Sequence, residues 1–181
     1  MRIFLNPGHC IGVDSGAINH DTGVTEAMTV GEIGLLVKKY LEDAGEQCLM
    51  LQSNNMYDEE PSWPSICQSA NKWPADIFVS LHCNDATNRN AEGCECWVYS
   101  LGSKAADLAE CINNQIADSL NLFNRGVKES KRLCVLKRTK MPAVLVELGF
   151  INNDDDFFKL QNNKDEFARA IARGITDYLE A

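Results

Sequence analysis

No stretch of the sequence approaches the roughly 20 consecutive apolar residues that a membrane-crossing helix needs, which excludes an integral membrane protein. Basic charge is also scarce: 17 Lys and Arg stand against 26 Asp and Glu, a formal net charge of −9. So acidic a chain is a poor match for nucleic acid or an anionic surface, whose own charge it would repel. The opening Met1–Pro7 has no apolar leader core and runs straight into what reads as a strand, so synthesis in the cytoplasm without a signal peptide is expected. There is no C-x-x-C pair, no G-x-G-x-x-G and no Walker motif, which removes zinc ribbons, dinucleotide cradles and phosphate loops. Linkers, repeats and low-complexity tracts are missing too, so residues 1–181 read as one domain.

What is present is an ordinary globular balance, 45% apolar and 24% charged. The eight cysteines fall mostly inside candidate strands and helices, where a thiol behaves as a small hydrophobe. They are expected to be free and reduced. Short apolar runs at Arg2–Asn6, Cys48–Leu51, Asp76–His82, Cys94–Tyr99, Leu133–Lys137 and Ala143–Glu147 predict six strands. Between them lie helical periodicities, with Val30, Ile33, Val37 and Leu41 on one stripe and Leu108, Ile112, Ile116 and Leu120 on another. A short helix over Asp154–Leu160 and a terminal one carrying Phe167, Ile171, Ile175 and Tyr178 complete the set, and Pro61–Trp73 reads as a loop with a short helix. Strands alternating with helices predict an α/β domain, a mostly parallel twisted sheet with helices on both faces.

Three of the candidate strands deliver a chemically capable residue at or just past their carboxyl ends: His9, His82 and Glu147. Sites in open α/β sheets form outside those ends, so the three converge in principle. Glu26 opens the first helix at the same edge, where a carboxylate suits the helix dipole. Two imidazoles and one carboxylate make a three-ligand zinc set with a fourth position left for water. A second carboxylate that is not a ligand can serve as the base. His9, Glu26 and His82 fit the first role and Glu147 the second. Glu147 closes an apolar run, a costly place for an unpartnered charge. His20 is a competing ligand, although a loop His among Asn and Asp is commonly just solvated.

The motifs Asn6-Pro7-Gly8-His9 with Asp14-Ser15-Gly16-Ala17, Gly23-Val24-Thr25-Glu26, Ser80-Leu81-His82-Cys83-Asn84, Gly93-Cys94-Glu95, Asn124-Arg125-Gly126-Val127-Lys128 and Met141–Asn153 span almost the whole chain. Together they resemble the zinc-dependent N-acetylmuramoyl-L-alanine amidases of the Amidase_3 type. The resemblance implies one zinc per chain on His9, Glu26 and His82, Glu147 as acid and base, and hydrolysis of the amide joining N-acetylmuramic acid to L-alanine in bacterial peptidoglycan. It also implies a monomeric catalytic domain without wall-binding repeats, acting on the cell wall as an endolysin, an autolysin or a sporulation enzyme. Asn84 and Arg125, the latter in a loop before a strand, are placed to meet substrate polar groups. A zinc carboxypeptidase-like peptidase and a silent peptidoglycan-binding relative are the competing readings. Two departures stand out: Asn6 where the family usually has Asp, and Cys10-Ile11 where it usually has Gly-Gly. Cys10 is therefore a further candidate for metal contact, whereas Cys83 is expected to face away from His82.

Overall fold

Strands and helices alternate along the chain as the sequence pattern predicts, with one exchange of element type. In a computed structural model describing residues 1–60 and 62–181, the order is β1 (Arg2–Pro7), α1 (Glu26–Asp43), β2 (Gln47–Met50), α2 (Ile66–Lys72), β3 (Ile77–Asn84), β4 (Cys94–Val98), α3 (Lys104–Leu120), β5 (Asn124–Glu129), α4 (Cys134–Arg138), β6 (Ala143–Phe150), α5 (Asp154–Asn162) and α6 (Lys164–Glu180). Pro61, at the start of the expected loop, lies outside the described residues.

Among the described residues six strands form one sheet in the order β2-β1-β3-β6-β4-β5. The first four run parallel; β4 is antiparallel to β6 and carries β5 parallel to itself. Strand alternation divides the core in two. Ile77, Val79, Leu81 and Cys83 of β3, with Val144, Val146 and Leu148 of β6, pack against residues of α1, α3 and α6. Phe4, Phe78 and Leu145 point the other way, into a smaller core with Ile66, Cys67 and Ala70 of α2 and Val135 and Leu136 of α4. By the same alternation Asn6, His82, Glu95, Trp97 and Glu147 all belong to this second face. Helices therefore cover both faces, and the site-bearing positions share one of them.

The run Leu133–Lys137, expected as a strand, is instead the short helix α4. Val135 and Leu136 meet the sheet from above rather than joining it, a choice that so short an apolar run leaves open. The sixth strand is β5, where the sequence suggested a loop. Its residues are mostly polar because it lies at the edge of the sheet. Gly126, at φ 80°, sits where the register with β4 slips, so no clean alternation survives. Two boundaries also move: β3 continues past His82 to Asn84, and β6 past Glu147 to Phe150. Glu147 is thus inside its strand rather than at its end. Cys94 and Cys96 face the larger core together, and all eight cysteines are free.

Candidate metal centre and active site

His9 follows β1 with φ 62°, a left-handed backbone that a residue with a Cβ adopts at a cost of about 1–2 kcal/mol. The turn is held by the Gly8 amide donating to the Leu81 carbonyl and by paired backbone bonds between Cys10 and Asp14. Asp14 then reaches back, its Oδ2 2.8 Å from His9 Nδ1. That leaves His9 Nε2 pointing at Glu26, 3.1 Å from Oε2. On the opposite side His82 Nδ1 lies 2.9 Å from Glu26 Oε1. The two imidazoles meet edge to face with their centroids 5.2 Å apart.

Glu26 is only 3% exposed, and Thr25 caps the helix that it opens by accepting the Met28 amide. Its carboxylate also accepts the backbone amides of Ala17 and Cys83. Two glycines leave room for the rings. A Cβ on Gly8 would come within 2.3 Å of the His82 ring, and one on Gly16 within 2.5 Å of His9 and 2.6 Å of Glu26. Pro7-Gly8-His9 and Ser15-Gly16-Ala17 are therefore packing requirements of the cluster, not merely flexible turns.

One ligand atom from each of His9, Glu26 and His82 lies within 4.8 Å of the others. Cys10 and His20 stand outside this group; Cys10 is buried and His20 exposed, its backbone amide on Asn152 Oδ1. Cys83 faces the larger core, and burial pushes its thiol well up. The electrostatics of the cluster favour a cation. Burial alone would lower the pKa of His9, yet Glu26 and Asp14 raise it to about 9. Burial would raise that of Glu26, yet its hydrogen bonds to His82 and His9 hold it well below the usual carboxylate range. A site that draws a proton this strongly fits a divalent ion, which would displace that proton on binding.

Asp14 was visible in the sequence only as part of a motif; the structure gives it a task. Asp14→Ala should leave the fold intact and weaken metal affinity about 10–100-fold, the range seen when a ligand histidine loses its orienting partner. Competition with a metal-chelating dye would measure this, and unchanged affinity would leave Asp14 without that role. Asn6 does something different. Its amide donates to the Leu51 and Pro7 carbonyls and its oxygen accepts from Ser80 Oγ, so it ties β1 to its neighbours. An ionised Asp has no N–H to donate to those carbonyls.

Beside the cluster, Glu147 stands level with His82 across β3 and β6. Its Oε2 is buried with no hydrogen-bond partner among the described residues. Burial, followed by repulsion from Glu26 and Glu95, raises its pKa to about 8. On its other side β4 brings Glu95 directly opposite. Glu95, also 3% exposed, is far better supplied: Asn84 Nδ2 at 3.2 Å, Trp97 Nε1 at 3.1 Å, Arg125 Nε at 2.6 Å, and Lys128. Burial would raise the Glu95 pKa, but Lys128 and Arg125 lower it. The structure thus brings Asn84 and Arg125 together on one carboxylate, and it puts Arg125 on β5 rather than in a loop. Glu95 and Lys128 stood in the sequence only inside motifs, without a role, although a lone carboxylate inside Cys94-Glu95-Cys96-Trp97 carries the same signal that singled out Glu147.

Comparisons with known proteins bear on the family and the fold. The family model Amidase_3, described as N-acetylmuramoyl-L-alanine amidase, matches residues 3–177. The chain is 30% identical over 181 residues to the sporulation-specific N-acetylmuramoyl-L-alanine amidase of Bacillus subtilis, covering 99% of this chain and 67% of that protein. It is 35% identical over 181 residues to the amidase LytC of the same organism, covering 97% of this chain and 35% of the relative. The chain thus spans about two thirds of the first relative and about a third of the second. Among solved structures, the amidase AmiC2 of Nostoc punctiforme matches with a TM-score of 0.87 at 31% identity, covering 100% of this chain and 98% of that one.

Proposed function

Because the chain belongs to the Amidase_3 family of N-acetylmuramoyl-L-alanine amidases, we propose that it hydrolyses the amide between the lactyl group of N-acetylmuramic acid and L-alanine in peptidoglycan, with one zinc ion held by His9, Glu26 and His82. The observation that carries this reading is the pairing of a three-donor cluster with an unpartnered buried carboxyl beside it. When bound, zinc would polarise the scissile carbonyl and make a water acidic enough to be used near neutral pH. Glu147 is the residue placed to take a proton from the attacking water and to return it to the departing alanine amine. Burial raises the pKa of this carboxyl in the metal-free protein and a bound cation beside it would lower it again, so both protonation states that the two acts need are within reach. Asp14 keeps His9 turned toward the cluster, and the Ala17 and Cys83 amides hold Glu26 in one rotation.

Asn84 and Arg125, joined on Glu95, act on polar groups of the substrate. Residues 1–181 constitute the catalytic unit, and its place of action is the cell wall, outside the membrane. Among the described residues no helix is long and apolar enough to cross a membrane. The test is mass spectrometry of purified peptidoglycan after digestion. Intact stem peptides with a free alanine amino terminus, absent when a chelator is added, are expected. Release of single carboxyl-terminal amino acids would point to a peptidase instead, and no release at all to a silent binder.

A further inference from the structure

On the face of the sheet that carries the site, one row of side chains crosses four strands. It runs from His82 on β3 to Glu147 on β6, then Glu95 on β4, then Arg125 and Lys128 on β5. The last three residues do not balance. Two cations share one carboxylate, and both lean on the same oxygen, Glu95 Oε2. One positive charge is left over, on a protein whose net charge is −9. Neither cation is loose. Arg125 lies over the Phe150 ring at 5.0 Å and donates to the Glu92 carbonyl, while Lys128 lies over the Trp97 ring at 5.3 Å. Both remain about one third exposed, so each keeps N–H groups that the protein does not use. Beside Glu147 opens a cleft of about 250 Å³ lined by Asn84, Glu95, Trp97, Ser130, Leu133 and Glu147, and the two cations lie behind its Glu95 and Trp97 wall.

We propose that Lys128, steadied with Arg125 on Glu95, is a specificity-determining residue that receives a carboxylate on the second residue of the stem peptide. This rests on the amidase reading above and extends it along the substrate. The spacing agrees: neighbouring strands lie about 4.8 Å apart, so β5 stands about 10 Å from Glu147. Two extended residues span about 7 Å, and an acidic side chain reaches the remainder. An ammonium already positioned over an aromatic ring and on a buried carboxylate has little ordering left to do on binding.

The experiment compares two synthetic N-acetylmuramoyl tripeptides that differ only at the second residue, acidic in one and its carboxamide in the other. The zinc-loaded wild type should favour the acidic substrate about tenfold in kcat/KM, through KM, which is the scale of one screened charge-assisted contact. Lys128→Met should abolish that preference, and Lys128→Arg should keep most of it. Equal preference in wild type and Lys128→Met, or no preference in the wild type, overturns the proposal while leaving the amidase reading in place. Turnover of neither substrate by the wild type overturns the amidase reading and this proposal with it.

Discussion

Replacing Glu147 with Gln should lower turnover of muramoyl peptides by about 10²–10⁴-fold, the usual contribution of a positioned acid or base, while zinc content stays at the wild-type level. The amide is nearly the same size, and the three donors His9, Glu26 and His82 are untouched. The fold should tolerate the change, because the Glu147 carboxyl is buried and its proton is retained to about pH 8. The sign of the accompanying stability effect follows. With a folded-state pKa raised from 4.5 to about 8, the unfolded chain releases this proton first. The wild-type carboxyl therefore destabilises the metal-free protein increasingly as pH rises across that window. Glu147→Gln removes this loss, so its melting temperature relative to wild type should climb from pH 4.5 to pH 8. Glu26→Gln should behave in the opposite way in metal content, losing zinc first, since a neutral oxygen binds the ion more weakly. Near-normal turnover in Glu147→Gln would reject the proposed chemistry.

Removing one donor should be as damaging by a different route. His82→Ala deletes one of three ligands and should lower zinc affinity by more than the 10–100-fold expected for a lost orienting partner. Turnover should fall in step with bound metal. His20→Ala is the contrasting variant: its imidazole is exposed and outside the cluster, so zinc and activity should both be retained. Elemental analysis beside peptide release reads both quantities on the same samples. Zinc loss in His20→Ala with retention in His82→Ala would dismantle the ligand set.

The parts of the site that were legible in the sequence share a physical cause. His9, His82 and Glu147 each follow or interrupt a buried apolar strand, where a polar side chain is expensive enough to demand a purpose. Parallel strands carry such residues to one edge, so convergence could be inferred without coordinates. The helix α1 was legible from its 3.6-residue period, and with it the position of Glu26. What stayed hidden lacked such a contrast. The edge strand β5 is polar and broken by Gly126, so its part in the sheet, and the place of Lys128 beside Trp97, depend on pairing that local pattern does not encode. Leu133–Lys137 has the composition of a strand but lies across the sheet as α4, which only tertiary packing decides. The bond from Asp14 to His9 depends on the left-handed backbone at His9, a strain no sequence rule assigns to histidine.

The central claim is that His9, Glu26 and His82 hold the ion beside which Glu147 works. Its most direct test is zinc-edge anomalous scattering from crystals of the zinc-loaded, active protein. A single peak per chain, enclosed by those three side chains and faced by the Glu147 carboxyl, is the predicted result. An active protein with no peak there, or with its zinc at His20 or on a cysteine, would contradict it.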